Sequence, residues 1–300
     1  MKEDKPEDKL TALRDVVSRL REEGRPAVNW QGGDRAEENG PITFGFVVMT
    51  RAQMDAMRVL YDHGLIIYDA LNSIEYRDLY ENLNPDRPLD LNIVDTRKTL
   101  IHVSRMDRFG GDDWARMFAS GKGLALFERW LGLEEDWATR DVQIVDGHDR
   151  LRDVTRLLHE HIDSLLWDSR VTRKFMDIEQ TEAELADPGA LYAPPGGRLL
   201  LTLLDDAPVA LLALKPHSPA TAEITRLYVQ PDARGYGLAS QLVDKAVDTA
   251  RAVGYRQVVL SLMPEMEMVR DMCYRHDFTS IEPYNNDAPD GLIPMGMSLT

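Results

Sequence analysis

Along residues 1–137, hydrophobic side chains recur mostly at the three- and four-residue spacing that predicts amphipathic helices. Leu13, Val17 and Leu20 follow this spacing in the first such segment. Thr50 and Gln53 stand at the spacing of a capping box and therefore predict the start of another helix. The predicted elements of this part are helices over 8–23, 50–64, 70–83, 92–108, 111–119 and 122–131, with one strand over 42–49.

After Trp137 the pattern changes to short apolar runs that alternate with helical segments. Two such runs flank Asp205-Asp206-Ala207-Pro208, which predicts a hairpin across 198–216. We therefore expect a mixed α/β domain at 138–300, built around an α+β sheet, behind a mainly α-helical domain at 1–137. The other predicted elements are strands over 142–145, 222–229 and 258–262, helices over 148–167, 178–186, 238–253 and 264–275, and two strands within 278–299.

Charge and cysteine content narrow the classes of function. The 300 residues carry 51 acidic and 35 basic side chains, a formal net charge of -16 that repels phosphate backbones and disfavours a general nucleic-acid binder. The single cysteine, Cys273, excludes an intramolecular disulfide and a cysteine-based zinc site. No apolar run is long enough to predict a membrane span, so a cytoplasmic protein without a membrane partner is expected.

One glycine-bearing segment carries the chemistry. Residues 234–239 read Arg-Gly-Tyr-Gly-Leu-Ala and lie between a predicted strand and a predicted helix. Gly235 and Gly237 allow the backbone to approach a ligand closely, and the first amides of the next helix favour an anion. The segment lacks the Gly-Lys-Ser/Thr of a P-loop and the three spaced glycines of a dinucleotide fingerprint. Taken alone, it is equally compatible with a turn that binds nothing.

With its surroundings, the segment resembles the acyl-CoA pyrophosphate loop of the GNAT family of N-acetyltransferases. The Arg-x-x-Gly-x-Ala pattern follows the strand 222–229, and residues 268–278, MVRDMCYRHDF, resemble the Tyr-x-x-x-Gly-Phe helix end of that family. The resemblance extends over about 141–300 and implies a GNAT-like acyl-CoA-binding fold there. Residues 95–130 only faintly resemble a small bacterial domain of unknown function.

The resemblance implies that acetyl-CoA is the acyl donor. It implies that strand 222–229 bulges away from strand 258–262, so that the pantetheine arm pairs with freed backbone groups and the pyrophosphate rests on the loop amides, with the Arg234 guanidinium as a charged donor. The implied acyl-CoA contacts are Leu227, Tyr228, Val229, Arg234, Gly235, Tyr236, Gly237, Leu238 and Ala239.

The same resemblance suggests two residues for proton transfer. Glu223 matches the position of a general base, and Tyr274 matches a general acid for the departing thiolate. The alternatives are an exposed strand carboxylate and a half-buried helix tyrosine. His276-Asp277 replaces the Leu-Gly that usually precedes the family phenylalanine, which removes a glycine C-cap from the predicted helix. Three residues of the last loop are expected to border an acceptor pocket: Tyr284, Asn285 and Asn286.

These inferences predict direct transfer of an acetyl group from acetyl-CoA to a primary amine, either a small molecule or a protein lysine or N-terminus. No metal is expected, because His159 and His161 are two residues apart and would face different sides of a helix. Two alternatives stay open. In the first, the protein is a catalytically weak acyl-CoA sensor. In the second, it is a protein-modifying acetyltransferase that docks through residues 1–137. A homodimer is a further expectation that the sequence leaves open.

Overall fold

The computed structural model of the protein describes residues 6–31, 46–62, 73–87, 89–106, 112–167, 184–285 and 288–299. By its internal contacts the chain divides into two compact units, Met1–Thr139 and Arg140–Thr300. Among the helices of these described ranges, none combines the length and the apolar character needed to cross a lipid bilayer.

The first unit is mainly helical, as the hydrophobic spacing predicts. The Thr50–Gln53 capping box is confirmed: the Thr50 hydroxyl accepts from the Gln53 amide at 3.2 Å, and the Gln53 side-chain oxygen accepts from the Thr50 amide at 3.1 Å. Two short strands, β1 (Trp30–Gln31) and β2 (Phe46–Val47), pair antiparallel. The helices are α1 (Pro6–Glu23), α2 (Arg51–Asp62), α3 (Ser73–Glu81), α4 (Ile93–Met106), α5 (Asp113–Ala119) and α6 (Lys122–Ala138).

An aromatic group from α5 and α6 forms part of the core of this unit. Trp114, Phe118, Phe127 and Trp130 are all buried, and their rings contact one another in sequence order at centroid distances of 5.4, 6.2 and 5.8 Å. The Trp130 indole donates to the buried Glu134 carboxylate at 2.9 Å. These rings therefore contribute packing to the helical unit rather than an exposed stacking surface.

The second unit is built on one mixed sheet, which confirms the predicted fold class. Seven strands of the described residues stand in the order β3-β4-β5-β6-β7-β9-β8, and β6 with β7 is the parallel pair among antiparallel neighbours. The strands are β3 (Val142–Asp146), β4 (Arg198–Leu204), β5 (Ala207–Ser218), β6 (Thr221–Val229), β7 (Gln257–Leu262), β8 (Thr279–Ser280) and β9 (Ile293–Ser298). The helices are α7 (Leu151–Trp167), α8 (Pro188–Leu191), α9 (Leu238–Val253) and α10 (Glu267–Arg275).

Local structure differs from the predictions in several places. Helix α6 extends to Ala138 rather than ending at residue 131, and the described part of the strand predicted over 42–49 is limited to Phe46–Val47. The hairpin turn consists of Asp205 and Asp206 alone, at φ of +50° and +66°, and β5 begins directly after them. Helix α10 begins at Glu267 rather than at residue 264. Most of the predicted helix 178–186 lies outside the described residues. Its described end, residues 184–186, is helical and stops before Asp187, whose carboxylate then caps the Ala190 amide at 3.0 Å and begins α8.

Each face of the sheet carries its own hydrophobic core. Helices α9 and α10 pack on one face through residues such as Leu242, Val243 and Met272. Helix α7 packs on the opposite face through Leu157 and Leu158. The two faces are called the α9 face and the α7 face below, because the site depends on which of them each side chain of β6 occupies.

Candidate functional site

The parallel strands β6 and β7 separate after three pairs. Thr221 to Glu223 pair with Gln257 to Val259, yet β6 continues to Val229 and β7 to Leu262. No further β6–β7 pair follows, although the structure describes both strands in full. The opening between residues 224–229 and 260–262, called the β6–β7 cleft below, therefore leaves strand edges available to an added extended chain.

A β-bulge lies in β6 beside this opening. Leu211 of β5 pairs with Tyr228 and Ala213 pairs with Thr225, so two residues of β6, Arg226 and Leu227, stand opposite Leu212 alone. Arg226 has a φ of +56°, in the left-handed region. The extra residue changes which face later side chains occupy.

Side-chain packing on either side of the bulge shows that change. Before it, Ala222 and Ile224 pack on the α9 face; after it, Leu227 and Val229 do so, and Tyr228 packs on the α7 face. Glu223, which precedes the bulge, therefore occupies the α7 face.

The end of β6 directs backbone groups into the cleft. The Gln230 amide donates to the Val209 carbonyl of β5 at 2.9 Å, and the Arg234 Nε donates to the Val229 carbonyl at 2.9 Å. Because backbone groups of successive strand residues point to opposite edges, those of Leu227 and Val229 face away from β5. They point toward the cleft, as the resemblance implies, whereas the backbone groups of Tyr228 face β5.

The glycine-bearing loop follows directly and ends at the start of α9. Gly235 and Gly237 have φ values of +87° and +80°, which favour glycine, and α9 begins at Leu238. A Cβ added to Gly237 would meet nothing within 4 Å, so the loop surface is open there. The first amides of α9 have no partner within the helix and carry the positive end of its dipole, which suits a phosphate.

The structure thus brings the predicted acyl-CoA contacts together. The Arg234 guanidinium joins the loop to the end of β6, and Ala239 packs at the edge of the α9-face core. Tyr236 lies half-buried between the two glycines.

Glu223 is the last residue of β6 that pairs with β7, so it lies where the two strands separate, and its carboxylate has two polar neighbours. The Lys215 ammonium of β5 is 3.2 Å from Glu223 Oε2, and the Tyr284 hydroxyl donates to Oε1 at 3.1 Å. The Ser261 hydroxyl of β7 in turn donates to the Tyr284 oxygen at 2.9 Å. Tyr284 therefore bridges β6 and β7 where they separate. The His217 ring packs edge-on against Tyr284 at a centroid distance of 5.0 Å.

The protonation of Tyr284 follows from this environment. Burial raises the pKa of its phenol, and the negative charge of Glu223 raises it further. The phenol is consequently neutral at physiological pH and serves as a hydrogen-bond donor to the carboxylate. The arrangement supplies a carboxylate proton acceptor, a cation and a phenol donor within one hydrogen-bonded group.

The structure does not bring Tyr274 to Glu223. The Tyr274 side chain is 48% exposed, and its hydroxyl lies 3.1 Å from the Ser280 hydroxyl. Ser280 belongs to β8, the edge strand two positions from β7, which corresponds to about 10 Å at ordinary strand spacing. The general-acid role of Tyr274 stays a prediction that this placement does not support, and the proposed function does not depend on it.

The helix end after Tyr274 forms without the usual glycine. Asp277 takes the left-handed conformation, with φ of +61°. The Phe278 amide donates to the Cys273 carbonyl at 3.0 Å and the Asp277 amide to the Tyr274 carbonyl at 3.2 Å, the two bonds of a Schellman motif. His276 contacts Asp244 at 2.8 Å on α9 instead of the cleft.

Cys273 is the residue that stands five positions before Phe278, where the Tyr-x-x-x-Gly-Phe pattern has its tyrosine. Its side chain is fully buried in the α9-face core. Burial raises the pKa of the thiol to about 11, so it is neutral and unsuited to act as a nucleophile.

The three predicted acceptor-pocket residues have different placements. Tyr284 contacts Glu223, as described above. Asn285 is exposed. Asn286 lies outside the described residues.

No motif in the sequence singles out Lys215, His217 or Ser261, which lie on β5 and β7 and surround the Glu223–Tyr284 pair. In the sequence, Ser261 is a polar residue between Leu260 and Leu262, which predicts that it faces the opposite side of the strand from them, but no local pattern shows that it meets Tyr284.

Comparisons with known proteins match the two parts of the chain separately. Residues 160–278 match the acetyltransferase (GNAT) family. Residues 5–136 match a family of unknown function, DUF6508.

Individual relatives share part of the chain. An uncharacterized N-acetyltransferase of Schizosaccharomyces pombe is 27% identical over 132 residues, which are 42% of this chain and 78% of that protein. A mycothiol acetyltransferase of Beutenbergia cavernae is 40% identical over 86 residues, 28% of this chain and 29% of that protein. A solved GNAT-family acetyltransferase of Staphylococcus aureus Mu50 superposes with a TM-score of 0.46 at 16% identity, over 53% of this chain and 100% of that one.

Proposed function

Since residues 160–278 form an acetyltransferase domain of the GNAT family, we propose that the protein transfers an acetyl group from acetyl-CoA directly to a primary amine. The observation that carries the proposal is the β6–β7 cleft, which opens beside a glycine-bearing loop suited to an anion and has the Glu223 carboxylate at the point where the strands separate. The acceptor is proposed to be a small-molecule amine or a protein lysine or N-terminus.

The described residues fit acetyl-CoA in two places. The amides at the start of α9 and the Arg234 guanidinium suit the pyrophosphate, because they combine hydrogen-bond donors with positive charge. The cleft-facing backbone groups of Leu227 and Val229 suit the pantetheine amides, which would pair with them as an added strand does. A donor group from the same strand edge would polarise the thioester carbonyl.

Glu223 is proposed as the general base. An amine attacks only in its neutral form, so the acceptor must lose a proton, and Glu223 is the carboxylate that lies where β6 and β7 separate. Lys215 and Tyr284 hold one carboxylate oxygen each, which fixes the orientation of the group. Tyr284 is also the described phenol nearest to this carboxylate, because Tyr274 contacts β8 instead.

The test combines acetyl-CoA with a panel of polyamines, amino sugars and lysine peptides, and follows thiol release together with the mass of each acceptor. We expect one class of amine to gain an acetyl group. Glu223→Gln should lower kcat at least about 100-fold while leaving the Kd for acetyl-CoA unchanged, the range for removal of a general base. Asp248→Asn, the same chemical change on an exposed part of α9, is the matched control and should leave both unchanged.

An acyl-CoA sensor is the second candidate, favoured by one observation: the tyrosine position of the family pattern holds the buried Cys273. Tight binding of acetyl-CoA without transfer to any amine would support the sensor. Absence of both binding and transfer would contradict both functions.

A further inference from the structure

The bulge of β6 depends on an arginine in a conformation that L-residues rarely adopt. Arg226 has a φ of +56°, where its Cβ is crowded by the neighbouring carbonyl. Arginine, unlike glycine or asparagine, has no intrinsic preference for this region. Such a residue persists when surrounding contacts hold it, so the contacts of Arg226 explain how the bulge is maintained.

A buried carboxylate holds the Arg226 side chain. Arg226 Nε lies 2.9 Å from each Glu184 oxygen, and Arg226 Nη2 lies 2.6 Å from Glu184 Oε2. Glu184 is 1% exposed, and the Tyr192 hydroxyl donates to its Oε1 at 2.5 Å. The carboxylate thus has a cation and a phenol as partners, which is what a buried charge requires.

The electrostatics of the group favour this charge state. Burial would lower the pKa of Arg226, but Glu184 outweighs it and the pKa is raised. Burial and the charge of Glu184 both raise the pKa of Tyr192, so its phenol stays a donor. Glu184 and Tyr192 lie on either side of α8, a segment outside β6, so the group ties the bulge to a separate element.

The ion pair and the bulge require each other geometrically. In a regular strand residue 226 would follow Ala222 and Ile224 onto the α9 face. The left-handed conformation turns its side chain to the α7 face, where Tyr192 packs. Loss of the bulge would shift the following residues by one position and move Leu227 and Val229 to the opposite face.

We propose that Arg226, Glu184 and Tyr192 form a positioning clamp that fixes the bulge of β6 and thereby aims the backbone groups of Leu227 and Val229 into the β6–β7 cleft. The clamp rests on the proposed function, since the ligand of these backbone groups is acyl-CoA. None of the three residues touches the reacting atoms. They act by selecting the register in which the strand edge meets the pantetheine arm.

The first test measures calorimetric Kd for acetyl-CoA, steady-state KM and kcat, and thermal unfolding on the full chain. Glu184→Gln and Arg226→Lys are expected to weaken acetyl-CoA binding at least tenfold. Val154→Ala, a cavity variant in the α7-face core near β4, is the matched control for lost stability and is expected to keep Kd within twofold. Should either clamp variant fail to fold, Tyr192→Phe removes a single hydroxyl and is expected to weaken binding two- to threefold.

The second test separates backbone positioning from general stability. Glycine adopts the left-handed region freely and alanine does not. We therefore expect E184Q/R226G to bind acetyl-CoA at least fivefold more tightly than E184Q/R226A. Equal affinity of these two double variants, or clamp variants that bind like the wild type, would overturn the clamp while leaving the proposed function intact. A wild-type protein that does not bind acetyl-CoA would overturn both.

Discussion

Two tyrosines show how far residue-level inference from the sequence extends. Tyr274 was assigned from a sequence pattern, and its hydroxyl contacts β8. Tyr284 was assigned only to an acceptor loop, and its hydroxyl contacts Glu223 across 61 residues of chain. Spacing along the sequence identifies helix and strand faces, but a contact between the last loop and β6 depends on how far the strands separate, which no local pattern contains.

We predict opposite outcomes for the two phenylalanine variants. Tyr284→Phe removes the donor that orients the Glu223 carboxylate and is expected to lower kcat about tenfold, equivalent to about 1.4 kcal/mol. Tyr274→Phe is expected to keep kcat within about twofold. Steady-state kinetics at saturating acetyl-CoA distinguish them. A large loss for Tyr274→Phe with none for Tyr284→Phe would restore the general-acid role to Tyr274.

His161 should make the second unit sensitive to acid. Burial lowers its pKa to about 4, helped by the positive charges of Arg226 and Arg234. Its ring packs against Tyr228, at a centroid distance of 5.4 Å. In the unfolded chain a histidine has a pKa of about 6.5. Between about pH 4 and about pH 6.5 the unfolded state therefore binds a proton that the native state does not.

The stability that depends on neutral His161 is therefore present above about pH 6.5 and lost as the pH falls toward 4. We expect the free energy of unfolding to drop by about 2 to 3 kcal/mol from this group by pH 4.5. Urea unfolding of the wild type and of His161→Gln, each at about pH 6.5 and at pH 4.5, measures this loss of unfolding free energy. Equal pH dependence in the two proteins would show that His161 titrates normally.

At the scale of elements, the strands and helices of the second unit follow from the sequence, whereas the bulge does not. Apolar runs and the glycines of the loop predict β4 to β7 and α9. The bulge was expected only from the family resemblance, and its position at Arg226 has no local sequence signature, since arginine is not a left-handed residue. It depends on Glu184, 42 residues earlier.

Helix α9 offers a matched pair of glycines for testing the loop. Gly237 and Gly254 lie at its two ends with φ of +80° and +100°, and an added Cβ meets nothing within 4 Å at either. Alanine should cost about 1 kcal/mol of stability at both positions. Only Gly237→Ala, at the anion-binding end, is expected to weaken acetyl-CoA binding about tenfold or more. If calorimetry gives Gly237→Ala and Gly254→Ala equal affinities for acetyl-CoA, the pyrophosphate binds elsewhere.

At the scale of the whole molecule, the hydrophobic pattern predicted two domains that meet at 137/138, and the compact units of the structure are Met1–Thr139 and Arg140–Thr300. The helical unit matches a family of unknown function, so its role is open to experiment.

The charge of the second unit bears on how it would bind acetyl-CoA. Residues 141–300 hold 25 acidic and 15 basic side chains, a net charge of -10. Since acetyl-CoA is anionic, its binding must depend on local donors at the loop rather than on the overall field.

We predict that residues 140–300 alone bind acetyl-CoA with a Kd within about threefold of that of the full chain, because every proposed contact lies in the second unit. Calorimetry on the purified fragment, with circular dichroism to confirm folding, measures this. A folded fragment that binds far more weakly would assign part of the site to the helical unit.

The most direct test of the account is a crystal structure of the protein with acetyl-CoA. We predict the pyrophosphate on the amides of 235–240, the pantetheine paired with Leu227 and Val229, and the thioester beside Glu223 and Tyr284. Acetyl-CoA bound outside the β6–β7 cleft, or a thioester directed away from Glu223, would contradict the account.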